Sequence, residues 1–284
     1  MLSIRASLTL ASLAAVAVVA HADPSWGTSV SAKSQAVEPN TAAGTGRVST
    51  SQSYDGADLA ATARASADYG VLRAYAFAKS GHGVVDDNEN ASSGGFSGAS
   101  AEFHDVLTID SPGLTGQSGS VVMSYDVEGK NTSTGTSAYD PSSELYGGSA
   151  QTTVVQRFGP VYPDYTYDVV FNDGNEAHWG AIGQHRAVVP FTFGSPFPIS
   201  LRITAAATIH ILSDLVATSD FEHTVLWGGL GAVTDGSGNA VQYSLSSGSG
   251  HDWTQPSTEA VPEPTSMAAL GLGALGLLKR RKRG

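Results

Sequence analysis

The chain has 284 residues, no cysteine, 15 cationic against 26 acidic side chains, and a net charge of −11. The missing cysteines exclude disulfides, thiolate catalysis and Cys-ligated zinc or iron–sulfur centres together, and the acidic balance repels nucleic acid, so none is expected as a partner. Only 14% of residues are charged and Gly, Ser, Thr and Ala abound, but Tyr, Phe and Trp recur in alternating runs, which favours a packed β fold over disorder.

The first residues place Arg5 ahead of an apolar run, Leu8 to Ala20, interrupted only by Thr9 and Ser12, and then Ala20-His21-Ala22. A cation, a short apolar helix and a small-residue A-x-A site are the order of a secretory signal peptide over 1–22, with Ala20 and Ala22 forming the cleavage site before Asp23. A buried amphipathic helix would show polar residues at helical spacing, and this run is apolar on every side.

From Trp26 to Gly56 the sequence is polar, with edge strands expected at Ser29–Val37 and Arg47–Tyr54. Leu59–Asp68 and Val71–Lys79 read as an antiparallel pair around Tyr69-Gly70, since Leu72, Ala74, Ala76 and Ala78 share one face and Arg73, Tyr75, Phe77 and Lys79 the other. Gly81–Gly98 reads as a loop. Ala99–Asp110 and Ser118–Glu128 alternate around Ser111-Pro112-Gly113 and read as a second pair. A second long loop is expected over Gly129–Gly148.

Strands are then expected at Thr152–Phe158, Thr166–Phe171, Glu176–Ile182, Ala187–Phe193 and Ile199–Leu212, with a turn at Asn172-Asp173-Gly174-Asn175. Phe221–Val233 and Ala240–Ser247 flank Asp235-Gly236-Ser237-Gly238-Asn239 as a hairpin. No stretch of the body shows a capped amphipathic helix. The series predicts an all-β, two-sheet antiparallel β-sandwich of the jelly-roll kind over 23–253, followed by a linker over 254–260.

Catalytic patterns are sparse. No window matches G-x-S-x-G, although Gly116-Gln117-Ser118-Gly119 comes near. His82, His104, His178, His185, His210, His223 and His251 never form H-E-x-x-H, and His178 and His185 are seven apart across a glycine. Asp86-Asp87-Asn88-Glu89-Asn90 and the Asp235–Asn239 turn offer oxygen for calcium, but neither fits the twelve-residue EF-hand loop, and a solvated loop and an ordinary turn explain both. Glu102 and Asp105 fall on opposite strand faces, a poor arrangement for a glycosidase pair. Trp179, Trp253 and the Tyr162–Tyr165 loop are the aromatic candidates for a glycan surface, whereas Trp227 lies in an apolar strand and reads as core. No enzyme, cofactor or metal centre is therefore expected, and a carbohydrate-binding module and a calcium-dependent or carboxylate hydrolase stand as alternatives.

The C-terminus has three parts: Val261-Pro262-Glu263-Pro264, an apolar stretch to Leu278, and the cations Lys279, Arg280, Arg281, Lys282 and Arg283. The prolines flanking Glu263 prevent regular helix or central strand, leaving that segment extended for a processing enzyme. As a helix the apolar run reaches only about 21 Å, against a hydrocarbon core of about 30 Å. A short, Gly-rich hydrophobic helix with a basic end suits transient membrane insertion with its C-terminus on the cytoplasmic side.

This combination over 261–284 resembles the PEP-CTERM sorting signal of exopolysaccharide-producing Gram-negative bacteria. The resemblance implies that an exosortase, a membrane-embedded transpeptidase-like cysteine protease, cuts at the motif and passes the protein outward. It further implies a secreted protein of the cell surface or extracellular matrix, structural or adhesive in type, associated with biofilm exopolysaccharide. Removing 1–22 and 265–284 leaves 242 residues and takes away six cations and no acid, so the net charge falls from −11 to −17.

Overall fold

The computed structural model describes residues 26–35, 38–56, 59–80, 95–135, 147–159, 164–171, 176–210 and 215–258. The expected signal helix, the acidic loop at Asp86–Asn90 and the whole of 261–284 lie outside them. The described residues form strands β1 (Gly27–Ser34), β2 (Asn40–Gly44), β3 (Val48–Asp55), β4 (Leu59–Asp68), β5 (Val71–Ser80), β6 (Gly95–Asp110), β7 (Ser118–Val127) and β8 (Lys130–Gly135). The series continues with β9 (Gly147–Phe158), β10 (Asp164–Phe171), β11 (Glu176–Trp179), β12 (Gly183–Thr192), β13 (Phe197–His210), β14 (Leu215–Asp235) and β15 (Ser244–Ser247).

They make two antiparallel sheets. The first has eight strands, ordered β11-β10-β9-β13-β6-β1-β2 with β15 beside β6; the second has seven, ordered β12-β7-β14-β5-β4-β3 with β8 beside β14. Both sheets contribute to one core. Strict alternation builds it: along β5, Leu72, Ala74, Ala76 and Ala78 are buried, while Arg73, Tyr75 and Phe77 face outward and stay partly exposed. The β4–β5 hairpin has the expected register, Ala65 opposite Ala74 and Asp68 opposite Val71.

The core changes character along the strands. At one end the inward positions are small, with Ala61 opposite Ala78, Ala63 opposite Ala76 and Ala99 opposite Ala205. There the Ser97 hydroxyl donates to the carbonyl of Phe77 in the facing sheet at 2.8 Å, so the sheets approach within reach of one serine side chain. At the other end Phe103, Leu107, Phe158, Ile199, Leu201, Trp227 and Trp253 fill a thicker interior.

Three sequence expectations are corrected. Ala99–Asp110 and Ser118–Glu128 are not partners: the turn at Pro112-Gly113 carries the chain from β6 in the first sheet to β7 in the second. The span read as a loop after Gly129 contains β8, which pairs with β14 from Lys130↔Asp220 to Gly135↔Leu215. The hairpin after β14 closes only at Thr234↔Ala240 and Val241 N–H to Val233 O. Beyond it β15 crosses to β6 and takes the edge that β1 leaves open after His104, pairing Leu107–Asp110.

Candidate functional site

The most elaborate side-chain arrangement joins the last described segment, Ser249–Ser257, to the thick end of the core. Trp253 is wholly buried, 5.0 Å from the Phe103 ring and 5.2 Å from Trp227, which it meets edge-on at 82°. Each indole N–H has a partner. Trp253 Nε1 donates to Asp105 Oδ2 at 2.7 Å, and Trp227 Nε1 donates to the Trp253 carbonyl at 2.9 Å.

Asp105 occupies an inward position of β6 between Phe103 and Leu107 and is only 1% exposed. A carboxylate there is tolerated because donors surround it. Besides the Trp253 indole it accepts from its neighbour Val106 N–H at 2.7 Å, from Ser249 N–H at 3.1 Å and from the Ser249 hydroxyl. Its oxygens therefore hold the C-terminal segment and are not open to solvent chemistry.

The segment is tied down further along. Leu230 N–H donates to the Trp253 carbonyl, Trp227 N–H to the Gly70 carbonyl, and Ser257 N–H to the Trp227 carbonyl at 2.8 Å. Gly70, at φ +75°, makes the β4–β5 turn, and a Cβ there would overlap the Ser257 hydroxyl. A Cβ on Gly229 would lie 3.0 Å from the Thr254 carbonyl oxygen. The body's last described hydrogen bonds thus fall inside the stretch read as linker.

His251 packs 4.6 Å from the Trp253 ring and 5.8 Å from Tyr69. Burial holds the imidazole below its usual pKa, against the opposing pull of Asp68, Asp105 and Asp252. The Tyr69 phenol is pushed up by burial first, then by Asp105 and Asp68. Beside this dock lies an open depression of about 620 Å³ lined by residues including Tyr243, Ser246, His251 and Asp252.

A second polar cluster ties the sheets together near the small-residue end. Buried Asn131 on β8 donates from Nδ2 to Asp168 Oδ2 at 2.7 Å, Thr152 Oγ1 donates to Asn131 Oδ1 at 3.1 Å, and the Ser219 hydroxyl donates to the Gln151 carbonyl at 3.0 Å. A third feature is a shallow groove of about 570 Å³ on the outer face of β3, β4 and β5, lined by Ser49, Ser51, Arg64, Arg73 and Glu222 among others. There Arg64 pairs with Glu222 at 2.7 Å and its guanidinium lies 4.3 Å from the Tyr75 ring centre.

The remaining predicted positions fall as follows. Trp227 is core, as its strand suggested. Trp253, read as an exposed glycan contact from its polar neighbours, is instead fully buried, a correction that the Asp105 partnership explains. Trp179 ends β11 and its side chain lies outside the description, while Tyr165 is 62% exposed. Glu102 and Asp105 do take opposite faces, Glu102 pairing with Arg202 at 2.9 Å on the outer one. Asp235 accepts from Ser237 N–H and Asn239 N–H, both at 2.9 Å, which is an ordinary turn closed by its own side chain. His185 stacks on Tyr125 at 4.6 Å, and the His178 side chain is outside the description. Among the described residues no three His, Asp or Glu side chains are placed to share a metal ion, and no helix is long and apolar enough to cross a membrane. The cleavage pair Ala20 and Ala22, the motif Val261, Pro262, Glu263 and Pro264, and the cations Lys279 to Arg283 all lie outside the described residues.

No curated protein and no solved structure matches the chain. A family model does match residues 260–283, directly beyond the docked segment. The chain carries a PEP-CTERM protein-sorting motif at its C-terminus, which implies an exosortase-sorted protein of the Gram-negative cell surface.

Proposed function

We propose that the exported body is a non-catalytic structural or adhesive component of the cell surface or extracellular matrix, held within biofilm exopolysaccharide after exosortase processing. The observation that carries this reading is the sorting motif placed directly behind an all-β body whose last segment is locked into its own core. The two-sheet body is read as a sandwich, jelly-roll-like in its non-sequential central pairs β6–β13 and β7–β14. A role without catalysis is supported by the use made of the buried carboxylates: Asp105 and Asp168 are spent on hydrogen bonds that join segments of the fold.

Intact-mass analysis of protein from the cell surface and medium, with and without the host's exosortase, tests the sorting step. Enzyme-dependent loss of everything beyond Val261–Pro264 is the expected result; a chain still ending at Gly284 makes the tail a lasting anchor. Release into the medium from a strain lacking exopolysaccharide is expected if the matrix retains the body, and equal retention counts against it.

The alternative is a carbohydrate-binding module. What favours it is the outer groove, where Arg64 stacked on Tyr75 beside serine hydroxyls offers the aromatic and polar contacts that glycans use. Glycan-array binding that is lost on Tyr75→Ala supports this version, and binding no better than background ends it.

A further inference from the structure

The dock fixes where the processing motif leaves the body. Ser257 is held to the Trp227 carbonyl, and its hydroxyl fills the space over Gly70. Only Thr258, Glu259 and Ala260 stand between Ser257 and Val261. Even fully extended, the four steps from Ser257 to Val261 span roughly 14 Å. An enzyme embedded in the membrane that grips the motif must therefore come against the folded body itself.

One surface is closest to that grip. It is the end of the fold made by the β4–β5 turn at Tyr69-Gly70 and by the segment Asp252–Ser257, where Asp252, Gln255 and Pro256 are exposed. Had the segment been loose from Ser247, the last residue of β15, thirteen residues would separate the body from Val261, a reach of roughly 50 Å over fourteen steps that would favour no single face. The Trp253–Asp105 contact removes that freedom, and the hydrogen bonds beside it tie the segment to β14 and, through Trp227, to the β4–β5 turn.

We propose that this end face is the surface the folded body presents to the exosortase, and that the dock makes it so by holding the motif on a short tether. The proposal rests on the sorting reading above. It is tested in the full chain with Gln255→Arg and Gln255→Trp, since Gln255 is exposed and its side-chain amide donates to the hydroxyl of the adjacent Thr254. Each change is made with and without a twelve-residue Gly/Ser insertion between Thr258 and Glu259.

Pulse-chase conversion to the processed form is the readout. The expected result is slowing by about threefold or more on the native tether, as for a charge or bulk change at the rim of a contact surface, and a return to the wild-type rate with the insertion. Unaltered rates on the native tether overturn the proposal. Slowing that the insertion does not relieve also overturns it, since the substitution then acts through something other than proximity. Glu263→Ala serves as the separate control: continued processing of that variant overturns the sorting reading beneath the proposal, whatever Gln255 does.

Discussion

The two ends of the two-sheet body solve the same packing problem with opposite materials. The end around Ala61, Ala76, Ala78, Ala99 and Ala217 is thin, and the sheets join there through Ser97 and through the Asn131–Thr152–Ser219 cluster. The end around Phe103, Trp227 and Trp253 is thick, and one of its largest side chains comes from outside the strands altogether. Small residues let sheets approach and satisfy polar groups directly, at the cost of little apolar area; large ones bury more area and need a plug to close the volume. The difference teaches where each end is fragile. The thin end fails by overfilling, and the thick end by losing its plug.

The largest expected effect is therefore Trp253→Ala. It removes a fully buried indole and leaves Asp105 without one of its donors. A loss of about 4 kcal/mol is expected from the truncation alone, read as a fall in the urea midpoint of the purified protein. Trp253→Phe keeps a buried aromatic ring but removes the N–H together with part of the indole, so a smaller loss of about 2 to 3 kcal/mol is expected. Equal losses for the two variants would mean that the hydrogen bond to Asp105, and not the plug, sets the strength of the thick end.

At the thin end the informative change is an enlargement. Ala76 is wholly buried, flanked by Ala63 on β4 and Ser219 on β14. Ala76→Leu has nowhere to place three further carbons and is expected to destabilise by about 1 to 3 kcal/mol. Measured by the same denaturant midpoint, a neutral or stabilising result would show slack between the sheets and erase the contrast between the ends.

Much of this contrast was legible in the sequence where it depends on alternation. The buried alanine stripe of β5 and the outward row Arg73, Tyr75 and Phe77 follow from period two, and Trp227 declares itself as core by lying between Leu226 and the apolar run that follows. What alternation does not carry is polarity used inside. β8 reads Lys-Asn-Thr-Ser-Thr-Gly, and its inward Asn131 finds its partners only across the sheet interface. Trp253 is misread for a related reason. Its neighbours Asp252 and Thr254 are polar, and the group that draws it inward is a carboxylate 148 positions earlier. The available signal was Asp105 itself: an acid in register with Phe103, Leu107 and Ile109 must find donors somewhere. Pairing of β6 with β7 failed because a Pro-Gly turn between two alternating runs looks the same whether it closes a hairpin or changes sheets.

The smallest expected effect probes the rim of the plug, where His251 covers Trp253. Burial depresses the imidazole pKa in the folded protein, so the unfolded chain, near its ordinary value of about 6.5, binds the proton more readily. The stability that comes from neutral His251 is present above that value and is lost as pH falls through it toward the folded pKa. Asp68, Asp105 and Asp252 all favour the charged ring and limit the loss, and the half-buried position of His251 limits it further. Denaturant midpoints at pH 8 and pH 5.5 for the wild type and His251→Gln separate this group from the carboxylates, which both proteins share. The wild type is expected to lose more stability on acidification than the variant does. If acidification instead destabilises the variant more, the three acids outweigh burial and the rim of the thick end is held by charge, not by the exclusion of water.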